Sequence, residues 1–160
     1  MNKKQVAKTA PVPQIPCLLL PLHGRTLLVP TVTVAEMVPM APCQREEGLP
    51  DWSMGTFEWR GRQVPLVSFE RLSGDPVTEL APKGRFAVLN NTGLNDDLPF
   101  IAVPTRALPR MARISPDDIK ENPGSLKKPC ELMRVKVGME ELAIPDVAAL
   151  EKAYLDYRAE

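Results

Sequence analysis

The sequence predicts an all-β protein, built as small barrels or a sandwich of short strands and closed by one short C-terminal helix. Three observations predict it. Proline fills 18 of 160 positions, about 11% against a usual share near 5%. The longest stretch between two prolines is Lys83 to Leu98, 16 residues. A helix interior rejects proline at a cost of about 3 kcal/mol, so long helices are excluded there, and with them coiled coils, helix bundles and doubly wound α/β folds. The second observation is a series of about nine short apolar runs at regular spacing, each bounded by turn residues. The third is a helical period that first emerges after the last proline, Pro145.

Residues 1–14 are polar and broken by Pro11 and Pro13, and are expected to be a flexible lead-in. Cys17–Leu22, the His23-Gly24 turn and Arg25–Val29 read as a first hairpin, with Gly24 able to take φ > 0. Val32–Val38 suits either a strand or one helical turn, and Pro39–Pro50 reads as a loop. Trp52–Trp59 and Arg62–Phe69 form a second hairpin turning at Arg60-Gly61, with strand alternation at Phe57/Trp59 and Val64/Leu66. Pro65 implies a sheet edge or a bulge. Phe69–Gly74 is a single helical turn stopped by glycine.

Arg85–Leu89 and Phe100–Val103 are expected to be partner strands around the polar Asn90–Asp97 turn, and Ala107–Ile114 extends the sheet. Ser115–Asp118 carries cap signals for a short turn, and Asn122–Pro129 is a loop. Cys130–Val137, a turn at Gly138 and Glu141–Ile144 complete a third hairpin. Asp146 is placed to cap a helix from Val147 to about Tyr157. Val147, Leu150, Tyr154 and Tyr157 share one face, a stripe expected to dock on the domain because a lone helix this short is marginal in water.

Composition narrows the function. There are 20 basic and 20 acidic residues, and neither half of the chain is a charged arm or tail. Nucleic-acid binding needs a positive footprint, so that partner is disfavoured. The three cysteines, Cys17, Cys43 and Cys130, are widely spaced and suit reduced thiols in a cytoplasmic protein. No run approaches the ~20 apolar residues of a membrane span, and the six-residue Cys17–Leu22 run, interrupted by Pro21, is too short for a signal peptide.

Catalytic and metal signatures are missing. The single histidine, His23, sits in a turn and reads as solvated. No cysteine or histidine pair has metal-ligand spacing, and no phosphate loop, dinucleotide fingerprint or nucleophile elbow occurs. Asp96-Asp97, Asp117-Asp118 and Glu140-Glu141 are adjacent carboxylates, read as turn and strand residues facing water. Arg106, Arg110 and Arg113 make a basic edge without the interleaved aromatics of a single-strand binder. The sequence therefore predicts no enzyme, no cofactor and no metal.

The segment Leu49–Gly74 holds both tryptophans, an Arg-Gly turn, a proline-bearing strand and a one-turn helix. It resembles the central signature of the CheW family of chemotaxis coupling proteins. Val34-Ala-Glu-Met-Val-Pro39 resembles that family's upstream segment, Ile114–Ile119 its downstream one, and Glu131–Leu150 its closing strand pair. The resemblance covers about residues 15–157, taken as one CheW-like domain. Departures occur at Glu58, where asparagine is frequent, and at Pro99–Thr105, where Pro-Thr replaces an acid. This divergent style is similar to accessory members of type IV pilus chemosensory systems.

The resemblance implies two small five-stranded SH3-like or OB-like barrels packed together, with no active site. It implies an adaptor that couples the cytoplasmic tips of chemoreceptors to the regulatory domain of a CheA-type histidine kinase. It also implies that Glu36 and Arg60 form a salt bridge at the receptor-facing surface, with Val34 and Gly55 on the same surface. From the residues alone, Arg60 reads first as a turn residue with a solvated charge, and the motif reverses that preference. The alternative class is a small barrel that binds nucleic acid.

Overall fold

The computed structural model describes residues 13–76 and 79–159. The expected lead-in lies outside them as far as residue 12. The strands are β1 (Ile15–Pro21), β2 (Thr26–Pro30), β3 (Val34–Pro39), β4 (Ser53–Trp59), β5 (Arg62–Val67), β6 (Arg85–Asn90), β7 (Phe100–Thr105), β8 (Arg110–Ile114), β9 (Ile119–Glu121), β10 (Glu131–Val137) and β11 (Glu140–Pro145). Helix α1 is the single turn Phe69–Leu72, and α2 is Val147–Ala159.

The strands form two sheets, with order β8-β1-β2-β11-β10-β9 in the first and β3-β6-β7-β5-β4 in the second. The first sheet thus has six strands where the resemblance implied five. The extra strand is β9, whose three residues pair with the end of β10. Its Ile-Lys-Glu sequence is too short and too charged to show a strand period.

Three cores follow from side-chain alternation. Cys17, Leu19, Leu28, Val135 and Leu142 form the first sheet's own core. Phe57, Val64, Leu66, Phe86 and Val88 form that of the second. The intervening residues, among them Leu20, Leu27, Ala87, Ile101 and Val103, form the layer between the sheets. Strands β1, β2, β5, β6, β7 and β11 are therefore buried on both faces, and near-continuous apolar runs result.

Local chemistry explains the turns. The β4–β5 hairpin closes through Arg60 (φ 51°) and Gly61 (φ 75°), the two-residue turn with both central residues at φ > 0 that matches strand twist. Val32–Val38 divides between both expectations: Thr31–Thr33 is a 3-10 turn and Val34–Pro39 a strand. Strand β5 lies between β7 and β4, so Pro65 marks a bulge and not a sheet edge. Opposite it, Ser53 pairs with Val67 and Thr56 with Pro65, which inserts one extra residue into β4.

Helix α2 is capped by Asp146, whose Oδ1 accepts from the Ala149 amide at 3.1 Å. Val147 and Leu150 are buried in the inter-sheet core and Tyr154 packs against it. Tyr157 meets Trp52 edge-on at 6.1 Å. The same face carries Glu151, only 1% exposed, whose carboxylate accepts from the Thr92 amide and hydroxyl.

Candidate functional site

The second sheet brings its two edges together. Strands β3 and β4 are opposite ends of the strand order, yet Glu36 on β3 reaches the end of β4. Its Oε1 accepts from Trp59 Nε1 at 2.9 Å and from Arg60 Nε at 3.1 Å, with Arg60 Nη2 at 3.0 Å. A backbone bridge between Gln44 and Thr56 joins the same seam lower down. The sheet is thus curled into a barrel whose closure passes through Glu36.

The arrangement is open to solvent: the Arg60 side chain is 69% exposed and that of Glu36 40%. The Trp59 indole N–H holds the Glu36 carboxyl below the usual carboxylate range; desolvation opposes it, and the Arg60 charge and hydrogen bond act with Trp59. The site is therefore anionic and cationic side by side at ordinary pH. The Arg60 guanidinium also lies over the Trp59 ring, 5.1 Å from its centroid.

Of the four residues assigned to this surface, Glu36 and Arg60 are in contact. Val34 sits on β3 across an irregularity from Glu36, opposite Leu89, and packs partly against the inter-sheet core. Gly55 is buried four residues before Trp59 on β4, ~13 Å along the strand at ~3.3 Å per residue. A Cβ there would fall 2.1 Å from the Gln44 carbonyl oxygen, and φ is +91°. Gly55 thus shapes the bulge beneath the surface, close against the Gln44 carbonyl and the Arg45 side chain.

Two groups of residues escaped the sequence. Trp59 stacks edge-on against Phe100 at 4.7 Å, and Arg62 lies over Phe100 at 5.6 Å. Only the neighbouring Trp-Arg-Gly-Arg run hinted at it. The second group is a buried ionic cluster. The Arg25 side chain, 3% exposed, pairs with Asp75 and with Glu131 at 2.6 Å and donates to Ser73 Oγ at 2.7 Å. Glu131 also accepts from Arg134 through both oxygens, at 2.8 and 2.9 Å.

Burial raises the proton affinity of the Glu131 carboxyl, but hydrogen bonds from Arg134 and the Lys128 amide, with the Arg134 and Arg25 charges, hold it below its usual value. Desolvation likewise opposes ionisation of Asp75, and Lys128 and Arg25 overcome it. This cluster ties the β1–β2 turn to the segment after α1 and to β10. The His23 amide joins it indirectly by donating to Glu70 Oε2 at 3.1 Å, so His23 is a partly buried, anchored turn residue.

The paired carboxylates do surface work. Asp118 accepts from the Ser115 amide and hydroxyl at 3.0 and 2.7 Å, Glu140 pairs with Arg110, and Glu141 accepts from Asn122. Among the described residues no group of three His, Cys, Asp or Glu side chains is placed to hold a metal ion. Among the described residues no helix is long and apolar enough to cross a membrane.

A model of the CheW-like domain family matches residues 16–151. The chain belongs to the CheW-like family. Among solved structures, the scaffolding protein TtCheW from Thermoanaerobacter tengcongensis is similar to it, with a TM-score of 0.70 and 13% identity. The likeness covers 83% of this chain and 89% of that one, and at this identity it concerns the fold. No curated protein matches the chain by sequence. The CheW-like match takes in both sheets and the first turns of α2, so the Glu36–Arg60 seam lies wholly within it.

Proposed function

We propose that this CheW-like protein is a non-enzymatic chemosensory adaptor. It couples the cytoplasmic tips of chemoreceptors to the regulatory domain of a CheA-type histidine kinase, binding both at once so that receptor state biases kinase activity. Val34, Glu36, Gly55 and Arg60 belong to its receptor-facing surface, with Gly55 supporting it from below. Its place is the cytoplasm, and the Pro99–Thr105 departures favour a pilus-motility system.

The observation that carries this reading is the energetics of Arg60. A left-handed backbone costs an L-residue roughly 1–2 kcal/mol, and φ at Arg60 is 51°. An exposed ion pair returns only ~0–1 kcal/mol. Stability alone favours asparagine or glycine at this turn position. A charged, strained residue held by Glu36 and Trp59 at an exposed hairpin tip suits orientation of a contact surface. The likeness to a protein described as a scaffold supports the same reading.

The test is association with the purified kinase regulatory domain and receptor tip. Arg60→Glu is expected to weaken binding while thermal stability stays within about 1 kcal/mol. An unfolded variant, or a folded one with undiminished binding, removes Arg60 from the site.

A further inference from the structure

We propose that the groove between β5 and the C-terminal half of α2 is a second contact surface, one that takes an acidic peptide segment of a partner protein. The proposal deepens the adaptor reading and rests on it for the partner being a protein.

The groove encloses about 500 Å³ and is floored by Val64, Pro65, Leu98 and Pro99. Arg62 flanks it from β5 and Arg158 from α2, and both are exposed. Neither forms an ion pair with any described residue. Among the described residues Arg25, Arg60, Arg71, Arg110 and Arg134 each have a carboxylate partner, while Arg45, Arg85, Arg106 and Arg113 also have none, so what distinguishes Arg62 and Arg158 is that they flank one groove. Asp97 is the one acidic residue on the described lining, so the rim carries a net positive charge.

The groove is continuous with the Glu36 seam through stacked rings. Arg60 lies over Trp59, Trp59 meets Phe100, and Arg62 lies over Phe100. The near end of this ladder is neutralised by Glu36. The far end, Arg62, faces the groove with its charge unmatched. Stacking on Phe100 orients the guanidinium plane and leaves its N–H edge for a planar, bidentate acceptor. A glutamate or aspartate side chain supplies that acceptor, and the Tyr154 and Leu155 side chains with the proline floor cover its aliphatic part. Nucleic acid fits less well, because the chain has no net positive charge to attract a phosphate backbone.

The experiment is an amide-shift titration of the full chain with hexaglutamate at low salt. The expected result is saturable shifts at Arg62, Phe100 and Tyr154 that weaken as salt is added. Arg62→Glu combined with Arg158→Glu is expected to lower affinity about tenfold or more. Lys136→Glu, the charge change of either single substitution placed on exposed β10, is expected to leave it unchanged. Arg158→Glu alone, at the exposed helix end, serves if the double variant does not fold. Absence of binding, equal loss in Lys136→Glu, or tighter binding of hexathymidylate than of hexaglutamate overturns the proposal. The titration contains no kinase or receptor, so its failure leaves the Arg60 surface standing. Absence of binding to both the kinase regulatory domain and the receptor tip removes the adaptor reading without touching the titration.

Discussion

Arg60 pairs with Glu36 at 3.0 Å from a left-handed backbone, φ 51°, at the tip of the β4–β5 hairpin. Trp59 donates to the same carboxylate oxygen at 2.9 Å. One acceptor on β3 therefore fixes both the aromatic and the charged member of the hairpin end. The fold is closed there by a polar contact that water can reach, which makes the seam a poor source of stability and a well-defined surface.

Arg60→Asn separates those two properties. Asparagine tolerates the left-handed region, so unfolding free energy is expected to stay level or rise by up to about 1 kcal/mol. Receptor and kinase association is expected to fall. Chemical denaturation beside a binding titration checks this, and a clear loss of stability would make Arg60 a structural residue.

Reversing the pair tests its geometry. Glu36→Arg and Arg60→Glu are each expected to weaken binding, and the double variant to recover part of it. A double-mutant cycle measures the coupling. A strictly additive loss would show that the two side chains act separately.

The buried cluster makes a pH-dependent contribution. The Glu131 and Asp75 carboxyls are held below their usual values, so they add stability above the unfolded carboxylate range near ~4. That contribution is lost as pH falls through the lower folded values. Glu131→Gln leaves Arg25 and Arg134 facing a neutral group, at an expected cost of about 3–5 kcal/mol at pH 7. The deficit relative to wild type should narrow below about pH 4, as read by urea unfolding across pH. A constant deficit would mean that packing, not charge, is what the residue supplies.

Gly55→Ala is expected to destabilise, because the new Cβ would lie 2.1 Å from the Gln44 carbonyl oxygen. Overpacking of this kind costs about 1–3 kcal/mol, with backbone strain in addition. Any loss of binding in this variant should track the loss of folded protein in thermal melts. A stable variant with lost binding would place Gly55 in direct contact with a partner.

Much of the fold was legible because the central strands are buried on both faces and so appear as apolar runs between glycine turns, as in Cys17–Leu22 and Arg85–Leu89. The α2 stripe was legible for a different reason: one face alone is buried, so Val147, Leu150, Tyr154 and Tyr157 recur at helical spacing. Strand β9 was hidden because Ile119-Lys-Glu121 has no period of its own and exists through pairing with β10. Glu36 and Arg60 emerged through their place in a motif, since a charged strand residue and a charged turn residue 24 positions apart carry no local signal. The Arg25 cluster had none at all: its partners lie 48, 50 and 106 residues away. Glu151 on the packed face of α2 looked like an ordinary helix charge, and only Thr92 from the loop after β6 explains it.

The central claim is that one molecule bridges two proteins through a surface centred on Arg60. Sedimentation velocity on a mixture of this chain, a CheA-type regulatory domain and a chemoreceptor cytoplasmic tip tests it most directly. A ternary species is expected to form with the wild-type chain and to be depleted with folded Arg60→Asn. A mixture holding no complex of this chain with either protein, or a ternary complex indifferent to Arg60→Asn, would contradict it.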